Sequence, residues 1–245
     1  MFGTRISLGK KIKDEAEKPF WISFADLMTA LMVMFLLVMS VALLAVTKTV
    51  SEEQRAADAR KEAITKIMDE VDLAVQKDPN KYSQCSGIHV NRERQVIDFG
   101  DCARFDTASH QLSKEQALLL RAFIPHVLEI ANSELGKDWL KRIVVEGFAD
   151  KRGSYLLNLN LSMQRSERVL CVLLAKPDSG EIEMSPQQHE DIRQLFLVGG
   201  YSSNSQKDTL EESRRIELRL EFRSIKEPPR FSPPVGEVNF GTCAL

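Results

Sequence analysis

The sequence predicts an α+β protein: a single N-terminal transmembrane helix, a linker helix, and then an exported α/β sandwich domain. Three observations predict it. From Phe20 to Thr47 the only ionisable side chain is Asp26, in a run longer than the roughly 20 apolar residues that cross a bilayer. Farther on, "RIELRLEFR" sets Ile216, Leu218, Leu220 and Phe222 against Glu217, Arg219, Glu221 and Arg223, the period of a strand with one buried face. Between these, stretches with apolar residues at helical spacing alternate with short strand-like runs, the pattern of helices layered on one face of a sheet.

The overall figures, 43% hydrophobic and 28% charged residues, look ordinary for a globular protein and hide this segregation. A cleavable signal peptide has a shorter apolar core, about 7–15 residues, ending at a small-residue cleavage site. The run here is longer, starts with Trp21 at an interface position and has no convincing cleavage site, so an uncleaved anchor is expected over residues 20–47. Arg5, Lys10, Lys11, Lys13 and Lys18 precede it, while Lys48 and then Glu52 and Glu53 follow. That asymmetry puts residues 1–19 in the cytoplasm as a tail and exports the rest. The net charge of −2 and the lack of a basic stripe give no sign of nucleic-acid binding.

Residues 48–80 read as the linker helix. Ser51 and Gln54 form a capping-box pattern, and Ile64, Ile67, Val71 and Val75 make a narrow apolar stripe suited to self-pairing. "KDPNKY" breaks the helix. The exported domain spans residues 81–227. It contains a hairpin from "IHVNRE" and "QVIDFG", then a helix capped by Ser113 and Gln116 with Leu118, Leu119, Phe123, Val127, Leu128 and Ile130 on its apolar side. The strand "RIVVEGFA", the helix "YLLNLNLSMQRSERVLCVLLA", a helix with Pro186 in its first turn, the strand "LFLVGGY" and the alternating last strand follow. Residues 228–245 form a proline-rich, irregular tail.

All four cysteines lie beyond the membrane run, where disulfides can form. Cys85 and Cys102 bracket the hairpin, whose outer strand ends lie close together, so a bridge between them is geometrically natural; Cys171 would then pair with Cys243. Four free thiols, with Cys171 simply buried, is the other reading, and four cysteines allow three pairings. His89, His110, His126 and His189 are scattered, and no cysteine or histidine spacing is that of a metal site. No nucleophile–base pair or phosphate loop marks an enzyme, and no cofactor is expected.

The densest cluster of chemistry-bearing residues is "EGFADKRGSYLLNLNLSMQRSERV". Asp150 falls at a strand end and Arg165 on the next helix, so an acid and a guanidinium share one groove. Such a pair suits a zwitterion, with the arginine on a carboxylate and the acid on an ammonium. An internal salt bridge is the alternative. The cluster resembles the peptidoglycan-binding motif of OmpA-like domains at Gly147, Asp150, Gly153, Ser154, Asn158, Leu161, Ser162, Arg165 and Val169. "RFDTAS" and "SRRIEL" resemble two further elements of that family and place Asp106, Arg214 and Arg215. The resemblance implies an OmpA-like α/β sandwich in which Asp150 and Arg165 hold the diaminopimelate of the cell-wall stem peptide, with Asn158 and Leu161 lining the groove. Ala149, Ser166 and Ser213 depart from the family's Thr, Ala and Asn, and the first removes one hydroxyl from the site.

A charged Asp26 near the middle of a membrane helix would cost at least ~2.5–3.5 kcal/mol on insertion scales. Such a residue faces protein or water, unless it sits at headgroup level or caps the helix start. "WISFADLMTALMVMFLLVM" is similar to the transmembrane signature of flagellar stator B subunits at Trp21, Phe24, Ala25, Asp26, Met28, Thr29, Ala30, Met32, Phe35 and Met39. That resemblance implies a homodimer inside a pentameric ring of A subunits, with Asp26 binding and releasing the coupling ion, H⁺ or else Na⁺. The quick passage from membrane run to charged helix, the exported cysteines and the proline-rich tail look most like B subunits of the Zorya anti-phage defence system. A flagellar-type stator subunit and a passive cell-wall anchor are the alternatives.

Overall fold

The computed structural model describes residues 17–76, 87–175, 183–230 and 239–241. The basic N-terminal tail, "KDPNKY", Cys85, Cys243 and most of the proline-rich tail lie outside the described residues. The chain forms two compact units, residues 1–56 and 57–245.

Helix α1 runs unbroken from Glu17 to Gln76. In the first unit its apolar side chains, from Trp21 through Leu37 to Val50, are exposed in the isolated chain, and the segment is long and apolar enough to cross a membrane. Ser40, Thr47 and Thr49 turn their hydroxyls back onto carbonyls three or four residues earlier, which hides their polarity within the helix. Ser51 lies in mid-helix, so the capping box expected at Ser51 and Gln54 marks no helix start.

In the second unit, the remainder of α1 is built into the domain. Ile64, Ile67, Met68 and Val71 are buried in the main apolar cluster, with Val75 packed against it. The stripe expected to pair with a second copy therefore packs on its own domain instead. Met68, between Ile67 and Val71, widens the stripe enough to cover a core. Polar contacts fasten the same segment. Arg92 donates from Nε to Asp69 and from Nη2 to Asp72, each at 2.8 Å, and Arg60 Nε donates to the Arg223 carbonyl at 2.6 Å. The compact unit thus takes in residues 57–76 as well as the domain expected from residue 81.

The hairpin β1 (His89–Asn91) and β2 (Val96–Asp98) is followed by a 3-10 turn, Gly100–Ala103. Helix α2 (Lys114–Asn132) starts at the Ser113–Gln116 capping box, and the short α3 (Glu134–Trp139) follows after Ser133. Strand β3 (Leu140–Gly147) leads into α4 (Tyr155–Leu174). Helix α5 (Pro186–Leu195), capped by Ser185 with Pro186 at its start, leads into β4 (Phe196–Gly200), and β5 (Ile216–Phe222) closes the sheet. The five strands lie in the order β1-β2-β5-β3-β4, antiparallel except for β3 with β4.

Ile143, Val145, Ile216, Leu218 and Leu220 face one side of the sheet and join the apolar cluster with Phe123, Val127, Val169, Leu173 and Ile192 from the helices. The other side carries charge. Glu146 and Glu217 are directly opposite one another on β3 and β5, and both are fully buried. Like charges so placed repel. Arg219 grips Glu146 with two hydrogen bonds, 2.5 and 2.9 Å, while Arg215 and Arg94 donate to Glu217 at 2.7 and 3.2 Å. Three guanidinium groups thus offset two buried carboxylates.

Cys102 and Cys171 are both disulfide-bonded. Cys102 is buried on the 3-10 turn and Cys171 lies near the end of α4.

Candidate functional site

The site forms where β3 hands over to α4. Gly147 ends the strand against the helix, and a Cβ there would fall 1.9 Å from the Ser162 carbonyl oxygen. Only glycine permits α4 to pass this close. Gly153, at φ +90°, turns the chain into the helix in a backbone region that other residues rarely adopt. Ser154 caps α4, its hydroxyl accepting from the Leu157 amide at 3.4 Å. These constraints aim the Asp150 carboxylate and the first turns of α4 at one cavity of about 320 Å³. Its walls include Thr107, Asp150, Arg152, Asn158, Leu161 and Arg165.

Arg165 is fully buried and makes three hydrogen bonds to carbonyls: Nε to Ser109 (2.9 Å), Nη1 to Phe148 (2.7 Å) and Nη2 to Asp106 (3.1 Å). It ties the Asp106–Ser109 loop to the end of β3 and leaves two of a guanidinium's five N–H groups for other partners. The Phe105 ring lies 5.0 Å from the guanidinium. Burial, reinforced by the nearby Arg214 charge, pushes Arg165 down to about 10, with Asp150 acting in the opposite sense.

Asp150 is nearly buried and already holds two arginines. Arg152 donates its backbone N–H to Oδ1 at 3.0 Å and its Nη2 to Oδ2 at 2.6 Å, and Arg214 Nη1 reaches Oδ2 at 3.3 Å. The Arg152 guanidinium, more than any other group, holds this carboxyl at about 2, against the upward push of burial. Asn158 donates to the Asp150 carbonyl at 3.0 Å and so fixes the backbone beneath the acid. Arg214 also donates to the Phe105 carbonyl at 2.8 Å. Arg215 lies 4.1 Å over the Phe148 ring, behind the carbonyl that Arg165 grips.

Of the residues singled out from the sequence, Asp150, Asn158, Leu161 and Arg165 line one cavity, and Arg214 touches it through Asp150. Asp106 is exposed, and the bond it makes to Arg165 comes from its backbone carbonyl. Ala149, where the motif has Thr, is buried; its N–H donates to the Ser202 carbonyl and its own carbonyl accepts from Gln206. Arg152 is not among the residues that carry the motif resemblance; its place two residues after Asp150 in "ADKRG" is the signal that could have found it.

In the membrane segment Asp26 is exposed on α1, and the Thr29 hydroxyl donates to its backbone carbonyl at 2.8 Å. Among the described residues no cation lies against the Asp26 carboxylate.

The chain thus combines an apolar helix carrying one acid with a mixed-sheet domain that holds a charged cavity. Residues 8–53 match a family model described as membrane MotB of the proton-channel complex MotA/MotB. Across its whole length, the chain is 44% identical to Zorya protein ZorB of Escherichia coli O139:H28 (strain E24377A / ETEC), over 250 residues covering 100% of this chain and 98% of that one. The chain belongs to the ZorB family. Solved structures that resemble it include the OmpA-like domain of FopA1 from Francisella tularensis (15% identity, 53% of this chain and 75% of that chain, TM-score 0.35). The peptidoglycan-associated lipoprotein from Burkholderia pseudomallei is also similar (14%, 54% and 92%, 0.32). A MotB-like protein from Desulfovibrio vulgaris is similar too (16%, 67% and 99%, 0.41).

Proposed function

We propose that this chain is the ion-conducting, peptidoglycan-anchored B subunit of a proton-driven inner-membrane motor that acts in anti-phage defence. Asp26 carries the reading: it is the lone ionisable side chain between Phe20 and Thr47, and it lies within the stretch that matches the MotB model. A carboxylate in such a place needs partners from outside the chain, and a ring of A subunits around a B-subunit dimer would supply them. Alternate protonation and release at Asp26 then couples H⁺ flow to movement of the ring. The membrane potential provides about 2.3 kcal/mol per charge per 100 mV. Na⁺ is the other candidate ion.

The chain crosses the inner membrane once, with its N-terminus in the cytoplasm and its folded domain in the periplasm. There the cavity holds the wall stem peptide: Asp150 takes the ammonium of diaminopimelate, and the free N–H groups of Arg165 take a carboxylate. Asn158 and Leu161 line the groove, while Arg214 and the Asp106 carbonyl hold the two charged residues in place. Disulfides suit that compartment, and we assign Cys85 to Cys102 and Cys171 to Cys243, pairings that peptide mapping without reduction would check.

Replacing Asp26 by Asn keeps the shape and removes the titrating group. The variant should assemble with its A subunit and fail to protect cells against phage. Full protection by Asp26→Asn would contradict the reading and favour a passive anchor. Wall attachment is tested separately, by sedimenting the full-length chain in detergent with peptidoglycan. Asp150→Ala/Arg165→Ala should stay in the supernatant, and pelleting equal to wild type would reject the assigned groove.

A further inference from the structure

Arg152 occupies the place that the wall-binding reading reserves for a ligand's ammonium. Its side chain is 50% exposed, on the solvent side of an Asp150 side chain that is 8% exposed. It contacts both carboxylate oxygens, with Nε at 3.2 Å from Oδ1 and 3.3 Å from Oδ2 and Nη2 at 2.6 Å from Oδ2. The same Nη2 donates to the Thr107 hydroxyl at 3.1 Å, which bridges the two walls of the cavity. Arg214, the other arginine on Asp150, is 10% exposed and is committed to the Phe105 and Leu210 carbonyls, so it is a fixed part of the wall. Arg152 is the cation in this cavity that solvent reaches and that can leave.

We infer that Arg152 is an exchangeable latch that sets the specificity of the site for zwitterions. A bare cation reaching Asp150 must displace a guanidinium and gives it nothing in return. A ligand with an ammonium and a carboxylate offers both halves of the exchange: the ammonium replaces Arg152 on Asp150, and the released guanidinium swings onto the carboxylate. Exposed ion pairs are weak, about 0–1 kcal/mol, so the latch opens readily to such a ligand. A planar fork suits the carboxylate it moves to. This inference rests on the wall-binding reading of the cavity.

The test uses the full-length chain in detergent micelles, bound to purified peptidoglycan and displaced by soluble competitors. Free meso-diaminopimelate carries ammonium and carboxylate groups; cadaverine has the same diamine chain and no carboxylate. Wild type should favour diaminopimelate strongly over cadaverine, and Arg152→Ala should reduce that ratio up to about fivefold, mainly through better competition by cadaverine, which no longer has to break the ion pair. An unchanged ratio, a uniform loss of affinity for both, or failure of diaminopimelate to displace the protein would overturn the latch. Asp150→Asn separates the two ideas. If it abolishes sedimentation while Arg152→Ala leaves the ratio unchanged, only the latch fails. If it sediments like wild type, the wall-binding reading falls as well. Thermal melting confirms that each variant is folded, as expected for a change at the exposed Arg152.

Discussion

Asp26 lies on a helix whose apolar side chains are exposed in the isolated chain, and no cation of the described residues lies on its carboxylate. Asp150 lies in a folded domain and has two arginines and an asparagine around it. The first acid has an environment that other molecules must complete. The second has an environment that the chain itself builds. The difference teaches where each proposed activity would reside: ion transfer at Asp26 would need an assembly, whereas ligand binding at Asp150 would need this domain alone.

The comparison breaks most easily at α1, which contributes to both regions. Ile67→Ala should destabilise the domain by about 2–5 kcal/mol, because it opens a cavity among Met68, Val71 and the rest of the cluster. Val41→Ala, in the exposed apolar segment, should leave domain melting unchanged. Denaturant unfolding of the two variants checks both statements. Equal effects would mean that the two ends of α1 are not distinct. Gly147→Ala comes next, at about 1–3 kcal/mol, since its Cβ would collide with the Ser162 carbonyl and push α4 away from β3. Peptidoglycan sedimentation should weaken with it, because α4 carries Asn158 and Arg165.

The smallest effect concerns pH. The folded-state pKa of Asp150 lies at about 2, below the ordinary value near 3.9. Its contribution is therefore fully present above about pH 4 and is lost as the pH falls toward 2. With Arg152 half-exposed, that contribution is about 1 kcal/mol. Wild type should lose this stability over the window, and Asp150→Asn should show a flatter acid limb in melting experiments.

Much of the domain could be read in advance because local chemistry and tertiary fold agree there. The Ser113–Gln116 box starts α2, Pro186 starts α5, and the alternation from Ile216 to Phe222 does put its aliphatic residues into the core. The spacing from Gly147 to Arg165 was legible for the same reason: a strand, a glycine turn and a capped helix leave few ways to place these side chains. The fate of Ile64, Ile67 and Val71 was not legible, since a narrow stripe looks alike whether it meets a second copy or its own sheet and helices. Ser51 reads as a cap only if the helix starts there, and the membrane run carries the helix through it. Glu217 looked solvent-facing by alternation, yet it is buried, with Arg94 from distant sequence and Arg215 two residues before it on its carboxylate. The roles of Arg152 and of the Asp106 carbonyl depend on how separate loops meet, which no residue pattern states.

The central proposal is that Asp26 carries the coupling ion along a path completed by other subunits. Proton flux answers it most directly, measured with a pH-sensitive dye in vesicles holding the assembled complex of this chain and its A subunit under an imposed membrane potential. The account predicts flux with wild type and none with Asp26→Asn at equal assembly; undiminished flux through Asp26→Asn would contradict it.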